Sequence, residues 1–295
     1  MSDGAPAVTV IVPTYRDWRR LERCLDALER QSVSPERFEV LVVNNDPSDR
    51  PPPAFRLPKR WRLMDCARTG SYAARNEGLR HARGHIIAFT DSDCVPEPDW
   101  LANALARFSG ERPPDRVAGH IELFYARRRP NAIELYESYF AFRQRENAAK
   151  GTSVTANLFV RASVFEAVGA FDERLLSGGD HEWGYRASAA GYSIEYAADV
   201  VVRHPARGSV RALVGKSRRV EAGKYNRRAR GVELFRFVHQ LRPPVRKFRS
   251  FRRRSRAARS IALKVIAVHY LVSLARAFER LRIAWCPGAS GTIRR

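Results

Sequence analysis

The run Val8-Thr9-Val10-Ile11-Val12, ended by Pro13 and followed by Thr14-Tyr15-Arg16, decides the fold. It is mostly β-branched and shows no polar alternation, so it describes a strand buried on both faces, the habit of parallel sheets. Leu21, Cys24, Leu25 and Leu28 then recur at helical spacing over residues 17–31. Residues 38–43 are a second buried run, stopped by the turn-forming segment Asn44-Asn45-Asp46-Pro47-Ser48-Asp49. A Pro-rich loop over residues 50–58 leads to a strand near Arg62-Leu63-Met64. Residues 71–83 read as a helix closed by Gly84, and residues 85–90 as another buried strand. The alternation of strand and helix with short links predicts an α/β fold on a mostly parallel central sheet.

Farther along, the spacing predicts a strand over 117–124 and an aromatic-rich helix over 133–147. A short strand at 158–160, a helix over 162–168, a helix over 181–190 and one or two strands over 193–202 follow. Beyond Pro205 the text turns basic, with helices expected over 210–230 and 256–283.

Charge follows the same division. The 295 residues carry 53 Lys and Arg against 31 Asp and Glu, a formal charge of +22. Residues 205–295 hold 25 of the basic side chains and three acids, Glu221, Glu233 and Glu279, so residues 1–204 hold 28 of each sign. The whole surplus lies in the last third. A neutral domain over residues 1–205 and a basic, mainly helical extension over 206–295 are expected. Cys24, Cys66, Cys94 and Cys286 form no CxxC pair, so reduced thiols of a cytosolic protein are expected. The first residues lack a signal-peptide pattern, and no run of about 20 uncharged apolar residues is present. Dinucleotide-fold, P-loop and nucleophile-elbow motifs are absent, which disfavours those enzyme classes.

In such a sheet, ligands bind beyond the carboxyl ends of the strands. There the sequence places Thr14 and Arg16, then Asn44 and Asn45, then Asp91-Ser92-Asp93 after the run Ile86-Ile87-Ala88-Phe89. Two carboxylates one residue apart at a strand end suit Mg²⁺ or Mn²⁺ bridging a diphosphate. The same triplet also suits an Asp-rich turn ahead of the helix after Pro96.

Seven segments in order, VIVPTYR, VLVVNNDPSD, GSYAARNEG, IIAFTDSDC, TANLFVRASVFEAVGAFDE, GGDHEWGYR and VVVRH, resemble the inverting glycosyltransferases of family 2. The resemblance spans residues 8–205 and implies a GT-A nucleotide-sugar-binding fold. It implies that Thr14, Arg16 and Asn45 hold the nucleoside, that Asp91 lies near ribose and metal, and that Asp93 coordinates the ion. Arg75 is a second cation near the phosphates, with a surface-helix arginine as its alternative. Asp180 falls where the family has its catalytic carboxylate; Glu182 is the rival, serving the acceptor or the helix start instead. His204 matches a position that often adds a metal ligand, although a strand-end histidine bonded to a loop fits the residue too. Trp183 and Trp100 offer either faces for an acceptor sugar or core packing. Many family members carry adjacent aspartates where this chain has Asn44-Asn45, so the nucleotide stays open.

The resemblance thus implies a nucleotide-sugar donor, a glycan or lipid-linked acceptor and a divalent cofactor. A sugar nucleotidyltransferase is the enzymatic alternative, and a basic binding protein on a degenerate transferase fold the non-enzymatic one. The extension interleaves Phe248 and Phe251 with Arg249, Arg252, Arg253, Arg254 and Arg256, a pattern drawn to anionic lipid. In the helix that follows, His269, Ser273, Arg276 and Arg280 share one stripe. It is expected to lie in the inner face of the plasma membrane with its arginines snorkelling, or to pack its apolar face on the catalytic domain. No zinc-finger spacing or RNA-recognition signature points to dedicated nucleic-acid binding.

Overall fold

Each buried run becomes a strand in the computed structural model, which describes residues 5–225, 248, 249, 251, 253 and 259–285. Strands β1 (Val8–Thr14), β2 (Phe38–Asn44) and β4 (Ile86–Thr90) are buried at every residue. Alternation explains why. Val8, Val10, Val12, Val40, Val42 and Ala88 face one apolar core, while Ile11, Val43, Ile87 and Phe89 face another. Helices α1 (Trp18–Glu29) and α3 (Trp100–Phe108) supply the first core through Leu21, Leu25, Leu28, Trp100 and Leu101. Helix α2 (Ser71–His81) supplies the second through Tyr72, Ala73 and Ala74. Full burial of each Val or Ile contributes roughly 1.5–3 kcal/mol, so both faces of these strands are committed.

The remaining strands are β3 (Arg62–Asp65), β5 (Val95–Pro96), β6 (Arg116–Phe124), β7 (Asn157–Arg161) and β8 (Ile194–Pro205). They complete a sheet of order β3-β2-β1-β4-β7-β6-β8-β5. Strands β3, β2, β1 and β4 are parallel neighbours. β7 is antiparallel to both β4 and β6, and β5 to β8. The sheet is therefore mixed, which corrects the mostly parallel expectation. A fully buried run such as Leu158-Phe159-Val160 specifies burial on both faces and carries no information about direction.

Two local expectations also change. The aromatic helix over 133–147 divides into α4 (Ala132–Phe140) and α5 (Gln144–Ala148), because Phe142 takes a left-handed φ of 48° between them. A capping box starts α4: Asn131 accepts from the Ile133 and Glu134 amides, and Glu134 accepts from the Asn131 amide. Gly84 does not cap α2. It permits close approach instead, since a Cβ there would lie 2.4 Å from the Thr9 nitrogen.

The chain divides into two units. The first comprises Met1–Leu123, Phe142–Leu175 and Gly179–His204. Besides the elements above it holds α6 (Ala162–Val168) and α7 (Gly179–Ala189). The second joins Phe124–Ala141 and Leu176–Gly178 to Pro205–Arg295. Here α4 packs with α9 (Arg259–Trp285), and α9 with α8 (Val210–Tyr225), around Tyr136, Leu213, Phe251, Val265 and Val272. Phe251 of the basic run is thus a core residue of this unit. Arg252, Arg254 and Arg256 of that run, residues 226–230 of the expected helix, and Cys286 lie outside the described residues.

Candidate active site

Three strand ends lie level: Thr14 pairs with Asn44, and Asn44 with Asp65. Asn44 is buried and organises the turn after β2. Its amide nitrogen donates to the Asp46 and Asp49 carbonyls (2.9 and 3.1 Å) and to Asp65 Oδ1 (3.0 Å), while its oxygen accepts from the Asp46 amide. An aspartate there would set a carboxylate against two carbonyls and a second carboxylate, so the amide has a structural reason. Asn45 is likewise engaged: its nitrogen donates to the Cys66 and Arg68 carbonyls, and its oxygen accepts from Gly70 N at 2.8 Å. The Asn-Asn pair thereby fixes the loop that leads into α2. Arg16, at a left-handed φ of 51°, donates to Asp46 Oδ2 at 2.6 Å. The Ser48 hydroxyl and then the Arg16 guanidinium hold the Asp46 carboxyl below the usual carboxylate range.

Helix α2 carries a cation into this edge. Arg75 is 3% exposed and donates through Nη2 to Asp91 Oδ1 at 2.5 Å, its guanidinium lying 5.7 Å from the Tyr72 ring centroid. It is a buried ion-paired residue and not a surface arginine. Its Nε and the hydroxyls of Thr14 and Thr90, at the ends of β1 and β4, are buried and accept or donate nothing among the described residues. Buried polar atoms in this condition are rare.

Asp93 and His204 come together from separate elements. His204, near the end of β8, is 3% exposed, packs its ring 4.5 Å from that of Phe142 and places Nε2 3.5 Å from Asp93 Oδ1. Ligand atoms of Asp93, Cys94 and His204 all lie within 4.8 Å of one another. Burial pushes the Cys94 thiol well above its usual range, and soft sulfur is a poor match for a hard cation. A carboxylate oxygen and an imidazole nitrogen remain, two donors that could hold a divalent cation. Asp91, expected beside them, is held by Arg75.

Helix α7 brings the second carboxylate. Gly179 is required at its start, since a Cβ there would meet the Tyr72 ring at 2.8 Å. The buried Tyr72 donates its hydroxyl to Asp180 Oδ1 at 3.1 Å, and the His181 amide donates to the same oxygen at 2.9 Å. Burial pushes the Tyr72 phenol far up, so it remains a donor at any physiological pH. Asp180 Oδ2 accepts no hydrogen bond among the described residues. Glu182 differs: it pairs with Arg186 (2.7 Å), which also donates to the Val168 and Ala170 carbonyls. Trp183 is corrected to a core residue. It is 1% exposed, stacks on Phe165 at 4.4 Å and donates Nε1 to the Gly169 carbonyl, leaving no face for a sugar. Trp100 is fully buried with Nε1 on Asn157.

Two residues of this arrangement escaped the sequence. Tyr72 lies in the GSYAARNEG segment three positions before Arg75, so helical spacing alone places both on one side of α2. Arg116 gives no such signal. It is 1% exposed and donates to the carbonyls of Gly151, Gly184, Tyr192 and Ser193 and to the Ser188 hydroxyl, tying α7 and the turn after it to β6.

Comparison with known proteins now decides the family. A sequence model described as "Glycosyl transferase family 2" matches residues 9–169. The chain belongs to that family. It is 34% identical over 212 residues to the glycosyltransferase AglE of Haloferax volcanii, covering 70% of this chain and 69% of AglE. It is 32% identical over 104 residues to the putative glycosyltransferase EpsH of Bacillus subtilis, 34% of this chain and 30% of EpsH. The mannosyltransferase PcManGT from Pyrobaculum calidifontis, solved with GDP-Man and Mn²⁺, superposes with a TM-score of 0.58 at 21% identity, over 97% of this chain and 76% of that one. S. aureus TarS 1-349 with UDP-GlcNAc gives 0.52 at 18% identity, over 73% and 66%. These likenesses establish a GT-A-like fold for this family 2 glycosyltransferase, whose general activity is glycosyl transfer from a nucleotide-sugar donor.

Proposed function

We propose that this family 2 member transfers a sugar, with inversion, from a nucleotide-diphosphate donor to a hydroxyl of a glycan or lipid-linked acceptor. Asp180 is the general base. The observation that carries this reading is the placement of Asp180 by Tyr72, on the same helix whose Arg75 holds Asp91. Asp180 takes the proton of the acceptor hydroxyl as that oxygen attacks the anomeric carbon. The bond to the diphosphate breaks, and the nucleoside diphosphate leaves with its electron pair. The engagement of Glu182 by Arg186 supports Asp180 over it.

Thr14, Arg16 and Asn45 border the nucleoside, Asn45 through the loop it braces, while Arg75 and Asp91 lie toward ribose and phosphates. Asp93 and His204, with Asp91 nearby in sequence, would hold Mn²⁺ or Mg²⁺. Bound there, the ion supplies positive charge to the departing diphosphate. Glu182 serves α7 and the acceptor side of its first turn. The enzyme works at the cytoplasmic face of the plasma membrane, a reading supported by the cationic extension over residues 206–295.

A donor panel tests the reading. Incubation with Mn²⁺ or Mg²⁺ and a range of nucleotide sugars should release a nucleoside diphosphate from one class of donor. Pyrophosphate release from a sugar 1-phosphate and a nucleoside triphosphate would instead make the protein a nucleotidyltransferase. Absence of both activities, with no donor bound, would leave only a binding role.

A further inference from the structure

Helix α9 is amphipathic in the opposite sense to a helix on the surface of a protein in water. By length and composition it is apolar enough to cross a membrane, with a mean hydropathy of 1.6 over the most apolar 18 residues within Arg259–Ile283. Its polar stripe, however, is turned inward. His269, Glu279 and Arg280 are all less than a tenth exposed. His269 lies between the rings of Tyr136 and Phe140, with centroids at 5.8 and 4.8 Å. Arg280 is ion-paired to Glu221 of α8, and Glu279 accepts from Arg218 of α8 (2.7 Å) and Arg282 (2.6 Å). The arginines expected to snorkel therefore include one, Arg280, that is locked into the protein.

The outward side is apolar. Leu263, Ala267, Leu271, Leu274 and Phe278 follow one another at spacings of three and four residues, so they share one face. Leu263 is 54% exposed, Leu271 40% and Phe278 60%. Such a stripe is costly in water and marks an interaction surface.

Charge identifies what covers it. Of the three acids after residue 204, Glu221 and Glu279 are buried in the ion pairs just named. From Pro205 onward, no exposed carboxylate is found among the described residues, whereas Arg211, Arg249, Arg253, Arg259 and Lys264 are exposed. A surface that is apolar along one helix and cationic around it matches an anionic bilayer, whose headgroups attract the cations while the acyl region takes the leucines. A second copy would bury the stripe only by facing cation to cation. Duplex DNA would meet the cations and leave the leucines in water. Crossing the bilayer is disfavoured as well, since Glu279 and Arg280 are already matched by Arg218 and Glu221 within the unit.

We propose that α9 lies along an anionic membrane with its Leu263–Leu271–Phe278 face in the acyl boundary, its inward polar stripe remaining paired with α8. The inference is independent of which carboxylate is the catalytic base.

The test uses the full chain and vesicles of phosphatidylcholine and phosphatidylglycerol in equal parts. The protein should cosediment with them, and Leu263→Gln/Leu271→Gln should weaken partitioning roughly tenfold or more while keeping the wild-type circular dichroism and melting curve. In a second variant, Leu271→Trp, the added indole should be quenched by lipids brominated on the acyl chain, a readout of contact that a folding defect does not mimic. Wild-type protein that fails to cosediment would overturn the proposal, as would Leu271→Trp emission unchanged by brominated vesicles. Dimers in ultracentrifugation that dissociate in the Gln variant, without vesicle binding, would assign the face to a second copy. Duplex DNA binding as tight as vesicle binding, and unaffected by the Gln substitutions, would assign the charge to nucleic acid.

Discussion

The Tyr72 hydroxyl donates to Asp180 Oδ1 across 3.1 Å, joining α2 to the first turn of α7. Three residues along α2, Arg75 holds Asp91. One helix thus bears on both Asp180 and Asp91, so in the proposed reaction its register would set where the acceptor oxygen meets the anomeric carbon. Tyr72→Phe keeps the ring against Gly179 and removes only the hydrogen bond, worth about 1 kcal/mol. The expected outcome is a roughly fivefold fall in kcat with donor KM unchanged, read by steady-state kinetics on both substrates. A rise in donor KM at constant kcat would place Tyr72 on the donor side instead.

Arg75 should act on donor binding. Its guanidinium is buried and charged, with Nε unsatisfied among the described residues, so a diphosphate gains a charge-assisted partner there. Arg75→Met should weaken nucleotide-sugar binding roughly tenfold or more, measured by calorimetry, and strip Asp91 of its counter-ion.

The metal requirement separates His204 from Cys94, although both belong to the same cluster. A soft thiol adds little to a hard cation. His204→Ala should raise the Mn²⁺ concentration needed for half-maximal activity roughly tenfold, whereas Cys94→Ala should leave it unchanged. Manganese titration of the three proteins, followed by activity and by electron paramagnetic resonance, checks both statements.

Arg116 is a stability residue. Replacing it with Met leaves buried carbonyls of Gly151, Gly184, Tyr192 and Ser193 without their donor. A loss of about 3–5 kcal/mol is expected, seen as a fall in Tm of roughly 10 °C. Because α7 loses its tie to β6, activity should fall in the same variant below its melting range.

Acid sensitivity should trace partly to Glu39. Burial raises its carboxyl pKa, but hydrogen bonds from Arg83 and Thr9 outweigh burial and leave it lowered. A lowered folded value means the contribution is complete above the ordinary glutamate pKa of about 4.3 and is lost as pH falls through the folded value. Glu39→Gln should cost about 1–3 kcal/mol at neutral pH and flatten the decline of stability toward about pH 3, measured by urea unfolding across that range.

Much of this was legible in the sequence, and the exceptions have physical causes. Val8, Val10, Val12 against Ile11, and Ile86, Ala88 against Ile87, Phe89, serve two cores, so uninterrupted apolar runs had to be strands buried on both faces. Those runs do not encode direction, which is why the sheet was expected to be mostly parallel although β7 runs antiparallel to both its neighbours. Phe142 breaks the aromatic helix by a backbone conformation that no spacing rule foresees. Trp183 sits beside the acidic motif yet packs under it on Phe165, since position in sequence does not say which side of α7 faces inward. The polar stripe of α9 was visible as a stripe. Its inward orientation depends on Glu221, 59 residues from Arg280 in the chain, and only the fold reveals that pairing.

The most direct test of Asp180 as base is single-turnover transfer by Asp180→Asn with the donor found in the panel and a defined acceptor. An isosteric amide keeps the Tyr72 contact but cannot take a proton. Donor binding should be unchanged and transfer should fall roughly 10²–10⁴-fold, with wild-type product showing an inverted anomeric configuration by NMR. Wild-type rates of transfer by Asp180→Asn, or a retained anomeric configuration, would contradict an inverting reaction with Asp180 as base.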